Sequence, residues 1–274
     1  MKNRNAKVFC LFALITAAAS VAARLFITAC FTDPDMGVYT RGTSLPKIYE
    51  YLLAAMLLAT VIWSYFSKKT FYFREYPVPT YFTAFTEAVL GFMMLACAAV
   101  LLFITVSFKK STPYEVLMII FAVLSGIYYI SLLISRKSKQ AALAFLSLTP
   151  IFWSMTALVE VYRDMSVLIS SPNRIFNQLA YLSLMVFLLA ESRVLLGYKS
   201  TRLYAPAAAC AAVLLLTSSV PNLIFRSTLM IGSSDRPIIY VLQFAAGLYA
   251  AAKLISFCFL SAPLSNTVKD TSEV

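Results

Sequence analysis

The sequence contains no histidine. That absence removes the Ser-His-Asp triad, the His-ligated zinc site and the histidine proton relay together. Charge is scarce as well. Asp, Glu, Lys and Arg make up 13% of the 274 residues, against about 25% in a soluble domain. Glycine is limited to seven residues, and none of them builds a GxGxxG or Walker-type phosphate loop. A GxSxG nucleophile elbow is missing too. The five cysteines, Cys10, Cys30, Cys97, Cys210 and Cys258, all fall in apolar runs and form no CxxC pair. They read as small buried hydrophobes rather than disulfides or metal ligands. Asp33 and Asp35 are a lone acidic pair, too few for a metal site. No catalytic residue, metal ligand or cofactor is expected.

What the chain has in abundance is hydrocarbon. Hydrophobic residues make up 61% of it and the mean hydropathy is +0.80. Polar stretches are too short for a soluble domain. The expected class is all-α: a polytopic integral membrane protein, one domain over residues 1–274, with the lipid bilayer as its main partner. The formal net charge of +11 does not point to nucleic acid. Its basic residues sit in short clusters between apolar runs, as loops at a membrane surface do.

A helix needs about 20 residues to cross a hydrocarbon core of about 30 Å. Eight runs qualify: 8–31, 48–66, 82–107, 115–135, 141–162, 175–197, 203–225 and 238–260. Residues 261–274 form a short polar tail. Each run is apolar on all sides, which argues against a β-barrel. Turn chemistry separates the runs at Asp33-Pro34-Asp35-Met36-Gly37, Tyr76-Pro77-Val78-Pro79 and Ser170-Ser171-Pro172-Asn173. Gly197 is placed to end the sixth run. With the N-terminus inside, twelve Lys and Arg fall in inner segments and eight in outer ones. The positive-inside bias thus places both termini in the cytoplasm, with Lys109-Lys110 as the main dissent.

The first run poses its own question. Ala22-Ala23 has the small residues of a signal-peptide cleavage site, and Ala29-Cys30 resembles a lipoprotein signal. Arg24 interrupts the apolar stretch that a lipoprotein signal requires, and Leu25 to Phe31 stays apolar past the cleavage site. Retention of the helix is expected.

Ionisable residues inside the membrane are the most informative positions, because each is costly unless paired or hydrated. Arg24, Glu50 and Glu160 form an outer layer. Glu87, Glu191, Arg193 and Lys253 form an inner one. Lys253 shares a helix face with Gln243, Ala246, Tyr249 and Ser256. It either lines an inner cavity paired with Glu87 or Glu191, or snorkels to the headgroups. Glu87 has a local explanation if Thr83 caps the third helix and places it in the first turn. Glu191 with Arg193 could be a surface pair. Glu160 with Arg163 could pair along its own helix, or Glu160 could accept Arg24 from the first helix. Arg24 is expected to snorkel outward or to meet Glu50 or Glu160. Pro150 and Pro221 lie within runs and are candidate helix breaks, since each removes a backbone donor. Thr217-Ser218-Ser219 before Pro221 supplies hydroxyls for the freed carbonyls. Trp63 and Trp153 are the only tryptophans, too few to argue for a chromophore box around Lys253.

Tyr162-Arg163-Asp164, Ser170-Ser171-Pro172-Asn173 and Ala190-Glu191-Ser192-Arg193-Val194-Leu195-Leu196-Gly197 are similar to a group of multi-pass membrane proteins of Gram-positive anaerobic bacteria. The similarity covers about 40 residues, and the turn here reads Pro172-Asn173 where that group has Asn-Pro. The resemblance implies a bacterial cell-membrane protein and no activity.

Two function classes follow. One is a non-enzymatic sensing, scaffolding or assembly component, alone or with a membrane-protein partner or a second copy. The other is a small-solute permease with its charged site around Lys253.

Overall fold

The computed structural model describes residues 2–33, 38–40, 42, 44–66, 80–108, 112–134, 143, 145–163, 171–196, 203–225 and 237–260. Asp35, the turn at 76–79, Lys109-Lys110, Asp164, Ser170, Gly197 and the tail 261–274 lie outside these residues. Among the described residues there are eight helices: α1 (Lys2–Phe31), α2 (Leu45–Phe66), α3 (Tyr81–Phe108), α4 (Pro113–Ile134), α5 (Thr149–Arg163), α6 (Pro172–Leu195), α7 (Tyr204–Phe225) and α8 (Pro237–Leu260). Seven are long and apolar enough to cross a membrane. The described part of the chain is therefore all-helical and suited to a bilayer. Large apolar side chains such as Phe66, Tyr81 and Phe103 cover its outside, as lipid contact demands and water would penalise.

The exception is α5, which has 15 residues and spans about 22 Å. The expected run began at 141; residues 143, 145 and 146 are helical as well, and Pro150 explains why the run is broken before α5. Proline has no N–H to give the Leu146 carbonyl, and its ring crowds the preceding turn. The chain turns at Ser147-Leu148, and the Thr149 hydroxyl donates to the Leu146 oxygen at 2.7 Å. Pro150 thus stands as the second residue of a helix rather than in the middle of one. Pro221 behaves differently, because α7 runs through it to Phe225. The Asn222 amide donates to the Ser218 carbonyl at 2.9 Å, beside the carbonyl of Thr217 that the proline leaves without its usual donor.

Two helix starts follow the capping-box pattern. Thr112 N–H donates to Glu115 Oε2 at 3.0 Å while Glu115 N–H donates to Thr112 Oγ1 at 3.3 Å. Thr80 and Thr83 exchange the same reciprocal bonds at 2.9 and 3.2 Å. Thr80, not Thr83, therefore caps α3. Glu87 becomes the seventh helical residue, beyond the first turn where the helix dipole would account for it.

Helices α3, α4, α5, α6, α7 and α8 each pack on the next, and α8 packs back on α3, closing a ring of six. Outside the ring, α1 lies against α7 and α8, and α2 lies against α1 and α7. Alanines at 205, 207, 208, 209, 211 and 212 let α7 sit under so many neighbours. Lys7 Nζ lies 5.4 Å from the Phe259 ring, so α1 begins at the end of the bundle where α8 finishes. At the opposite end Arg163 of α5 stacks over Tyr114 at the start of α4, 4.5 Å from the ring centre.

The ring closes tightly where Gly91 of α3 meets Gly126 of α4. A Cβ on Gly126 would fall 2.7 Å from the Leu95 side chain and 3.1 Å from the Gly91 carbonyl oxygen. Small residues are what allow such backbone approach in a membrane. Gly126→Val should cost about 1–3 kcal/mol through overpacking, read as a lower melting midpoint of the detergent-solubilised protein. An unchanged midpoint would show that α3 and α4 separate freely.

Candidate functional site

The ring interior holds a three-charge cluster. Lys253 Nζ on α8 lies 2.8 Å from Glu87 Oε1 on α3 and 3.2 Å from Glu191 Oε1 on α6. All three side chains are at least 97% buried. The Tyr249 hydroxyl donates to the same Glu191 oxygen at 2.5 Å, and the Tyr249 ring faces the ammonium at 5.3 Å. Tyr129 of α4 meets the Tyr249 ring edge-on at 5.4 Å. Phe187 and Tyr204 pack against each other beside it at 5.8 Å. Three helices separated in sequence thus aim one charge each at a point lined by aromatic rings.

The stripe on α8 explains how. Gln243, Ala246, Tyr249, Lys253 and Ser256 are all buried, so this face points into the ring and not at lipid. Lys253 does not snorkel. On α6, Glu191 is buried while Arg193 is exposed. Residues two apart on a helix point to different sides, so they form no surface pair. Among the described residues, with both carboxylates ionised, the cluster carries one net negative charge. A low-dielectric interior penalises that charge, and one bound proton would neutralise it.

A second polar centre lies toward the other end of the bundle. Arg24 is buried and donates through Nη2 to Asn173 Oδ1 at 2.8 Å. Its guanidinium stacks over Phe176, 3.7 Å from the ring centre. It neither snorkels nor makes an ion pair with Glu50 or Glu160. Both glutamates are partly exposed, whereas Asn173, at the second position of α6, lies at the depth of Arg24. Arg163, at the end of α5, lies over the Tyr114 ring. Arg174 donates to the Tyr162 carbonyl.

Polar side chains connect the two levels. Ser20 and Thr217 hydroxyls share a hydrogen bond at 2.8 Å, and the Tyr49 hydroxyl donates to the Ser20 carbonyl at 3.1 Å. Ser218 donates to Asn177 Oδ1, and Asn177 Nδ2 reaches the Tyr240 hydroxyl at 3.5 Å. One turn deeper, Tyr181 and Gln243 lie side by side, with Trp153 against the Tyr181 ring at 5.9 Å. The amide of Gln243, the Tyr181 hydroxyl and the Trp153 N–H have no hydrogen-bond partner of good geometry among the described residues. From Asn173 to Glu191 the column runs about 27 Å along α6.

Sequence reasoning singled out the three inner charges but not Asn173, Phe176, Asn177 or Tyr129. The spacing Asn173, Asn177, Tyr181, Leu184, Leu188, Glu191 was an available signal, because steps of three and four put these residues on one face. The cysteines divide. Cys10, Cys97 and Cys258 are buried as expected, with the Cys10 and Cys258 thiols together between α1 and α8, whereas Cys30 is exposed. Among the described residues no group of three or more His, Cys, Asp and Glu is placed to hold a metal. Trp63 packs against Phe9 and Phe12 and Trp153 edge-on against Tyr181, so neither tryptophan walls Lys253. No protein-family model, no curated protein and no solved structure matches this chain.

Proposed function

We propose that this protein is a proton-coupled carrier of small solutes, with Glu87, Glu191 and Lys253 as its coupling site. The observation that carries the reading is the burial of one lysine and two glutamates from three helices at the centre of a six-helix ring. Intramembrane charges are expensive and mark ion or substrate pathways. Two carboxylates around one ammonium give an acceptor for a single proton. They give too few oxygens for a hard divalent cation, which takes six or more. In this reading α5 with the segment before it makes an eighth crossing, supported by its course toward the Arg163 end. Both termini then face the cytoplasm, in keeping with the lysine and arginine bias. A bacterial cell membrane is the setting, on the strength of the 40-residue resemblance.

The test uses the protein reconstituted in vesicles that contain a pH-reporting dye. Amino acids, organic acids, sugars and polyamines are added outside in turn. At least one class should drive a protein-dependent pH change, and Glu87→Gln should slow it tenfold or more. Absence of any solute-driven change, or full activity in Glu87→Gln, would overturn the proposal.

A scaffolding or sensing role is the second reading. It is favoured by an interior filled with large side chains, Trp153, Tyr128, Tyr181, Tyr204 and Phe257 among them, and by the continuity of α7 through Pro221. A partner protein or a second copy would then be the binding partner.

A further inference from the structure

We infer that Arg24 forms the centre of a binding site for a monovalent oxyanion, a carboxylate or a phosphodiester, at the N-terminus of α6. Arg24 is 2% exposed, and among the described residues its side-chain hydrogen bond goes to a neutral amide, Asn173 Oδ1. Its other terminal nitrogen, Nη1, is buried and has no hydrogen-bond partner among the described residues. A buried guanidinium with an open donor fork is a carboxylate or phosphate receptor by geometry and charge.

Three further features favour an anion there. Asn173 is the second residue of α6, so Arg24 sits beside the positive end of a 24-residue helix whose first N–H groups lack helical acceptors. Phe176 carries the guanidinium over its ring, and Tyr49 in turn stacks with Phe176, ring centres 6.2 Å apart. The chain after α1 folds back through Asp33 N–H to the Val38 carbonyl and Thr40 N–H to the Phe31 carbonyl, both 2.9 Å. That turn brings Tyr39 to the Arg24 region, its buried hydroxyl beside Glu50 and without a hydrogen bond of good geometry among the described residues. Burial holds the Tyr39 phenol well above its ordinary range, so it stays protonated and able to donate. Among the described residues, Glu50 is the carboxylate in electrostatic range of Arg24. It lies near Tyr39 and makes no ion pair with the guanidinium, so it competes with an incoming anion.

The oxyanion could be a free solute or a lipid headgroup, and the probes separate the two. Detergent-purified full-length protein is titrated with sodium acetate, with dimethyl phosphate and with short-chain phosphatidylglycerol, each against chloride at matched ionic strength. The melting midpoint is followed, since a ligand that binds only the folded state raises it in a saturable way. A saturable rise is expected for at least one probe, with apparent affinity at least tenfold weaker in Arg24→Gln and about threefold or more tighter in Glu50→Gln. A response to phosphatidylglycerol alone identifies a lipid headgroup as the source. A response to acetate or dimethyl phosphate identifies a free solute. If no probe shifts the midpoint, or Arg24→Gln responds as the native protein does, the site does not exist. Should Arg24→Gln fail to fold, Glu50→Gln decides: tighter binding supports the site, and unchanged or weaker binding overturns it. The assay reads binding without transport, so its outcome is independent of the carrier proposal.

Discussion

Lys253→Met should destabilise the protein by about 3–5 kcal/mol, the usual cost of leaving a buried charge without its partner. In a domain of this size that lowers the melting midpoint by about 10 °C. The reason lies in what remains rather than in what is lost. Methionine fills much of the lysine stem, so packing changes little. Glu87 and Glu191, however, are left facing each other with the neutralising ammonium gone, both enclosed by helices α3, α6 and α8. A charge-free interior should be restored by adding Glu87→Gln and Glu191→Gln to Lys253→Met. Replacing all members of a buried charge cluster is often neutral or stabilising, so the triple variant should regain most of the lost stability. Thermal and guanidinium unfolding of the purified proteins measure both effects. A single variant as stable as the native chain would mean that the ammonium reaches headgroups or water, and the coupling site would lose its basis. A triple variant as unstable as the single one would mean that the methionine, and not the stranded carboxylates, causes the damage.

That interior was partly legible in the sequence, and the boundary of legibility has a physical cause. Lys253 stood out because an ammonium about 10 Å inside a membrane face needs either a partner or a route out, and Glu87 and Glu191 were the acids at matching depth. Depth follows from counting residues along a helix. Which helix is next to which does not, since every run here is apolar on all sides and none announces its neighbour. The same limit explains Arg24. Its depth was readable, and so were the depths of Glu50 and Glu160, but the partner turned out to be Asn173, a residue that turn chemistry had already accounted for. Local rules also compete. Thr83 looked like a cap because threonine before an apolar run usually is one, yet Thr80 forms the reciprocal bonds and moves Glu87 out of the first turn. Pro150 was recognised as a breaker, but not that the chain before it turns at Ser147-Leu148 and shortens α5. Seven long helices were visible as apolar runs because length and hydropathy alone define them.

Trp153→Ala should cost about 3–5 kcal/mol, while Trp153→Phe should cost less than about 1.5 kcal/mol. Trp153 is fully enclosed by the ring, wedged on α5 against Tyr181 of α6 with ring planes inclined at 68°. Lipid is as apolar as the interior, so transfer from water contributes little to this contact. What holds it is dispersion between closely fitted side chains, and truncation to alanine leaves a void that helix α5, short and anchored at Pro150, is poorly placed to close. Phenylalanine retains most of the ring area against Tyr181 and gives up the indole N–H, which has no hydrogen-bond partner among the described residues. Deleting an unbonded donor is cheap or favourable. The two substitutions therefore separate packing from hydrogen bonding at one position. If Trp153→Phe proves as costly as Trp153→Ala, the indole N–H is bonded in the membrane, and its neighbours Tyr181 and Gln243 belong to a wet polar path. If the alanine variant alone is unstable, the level between Arg24 and Lys253 is a packed aromatic layer. Any solute that moves between those two centres must then displace Trp153 or Tyr181, and side-chain motion at that layer becomes the gate a carrier would need.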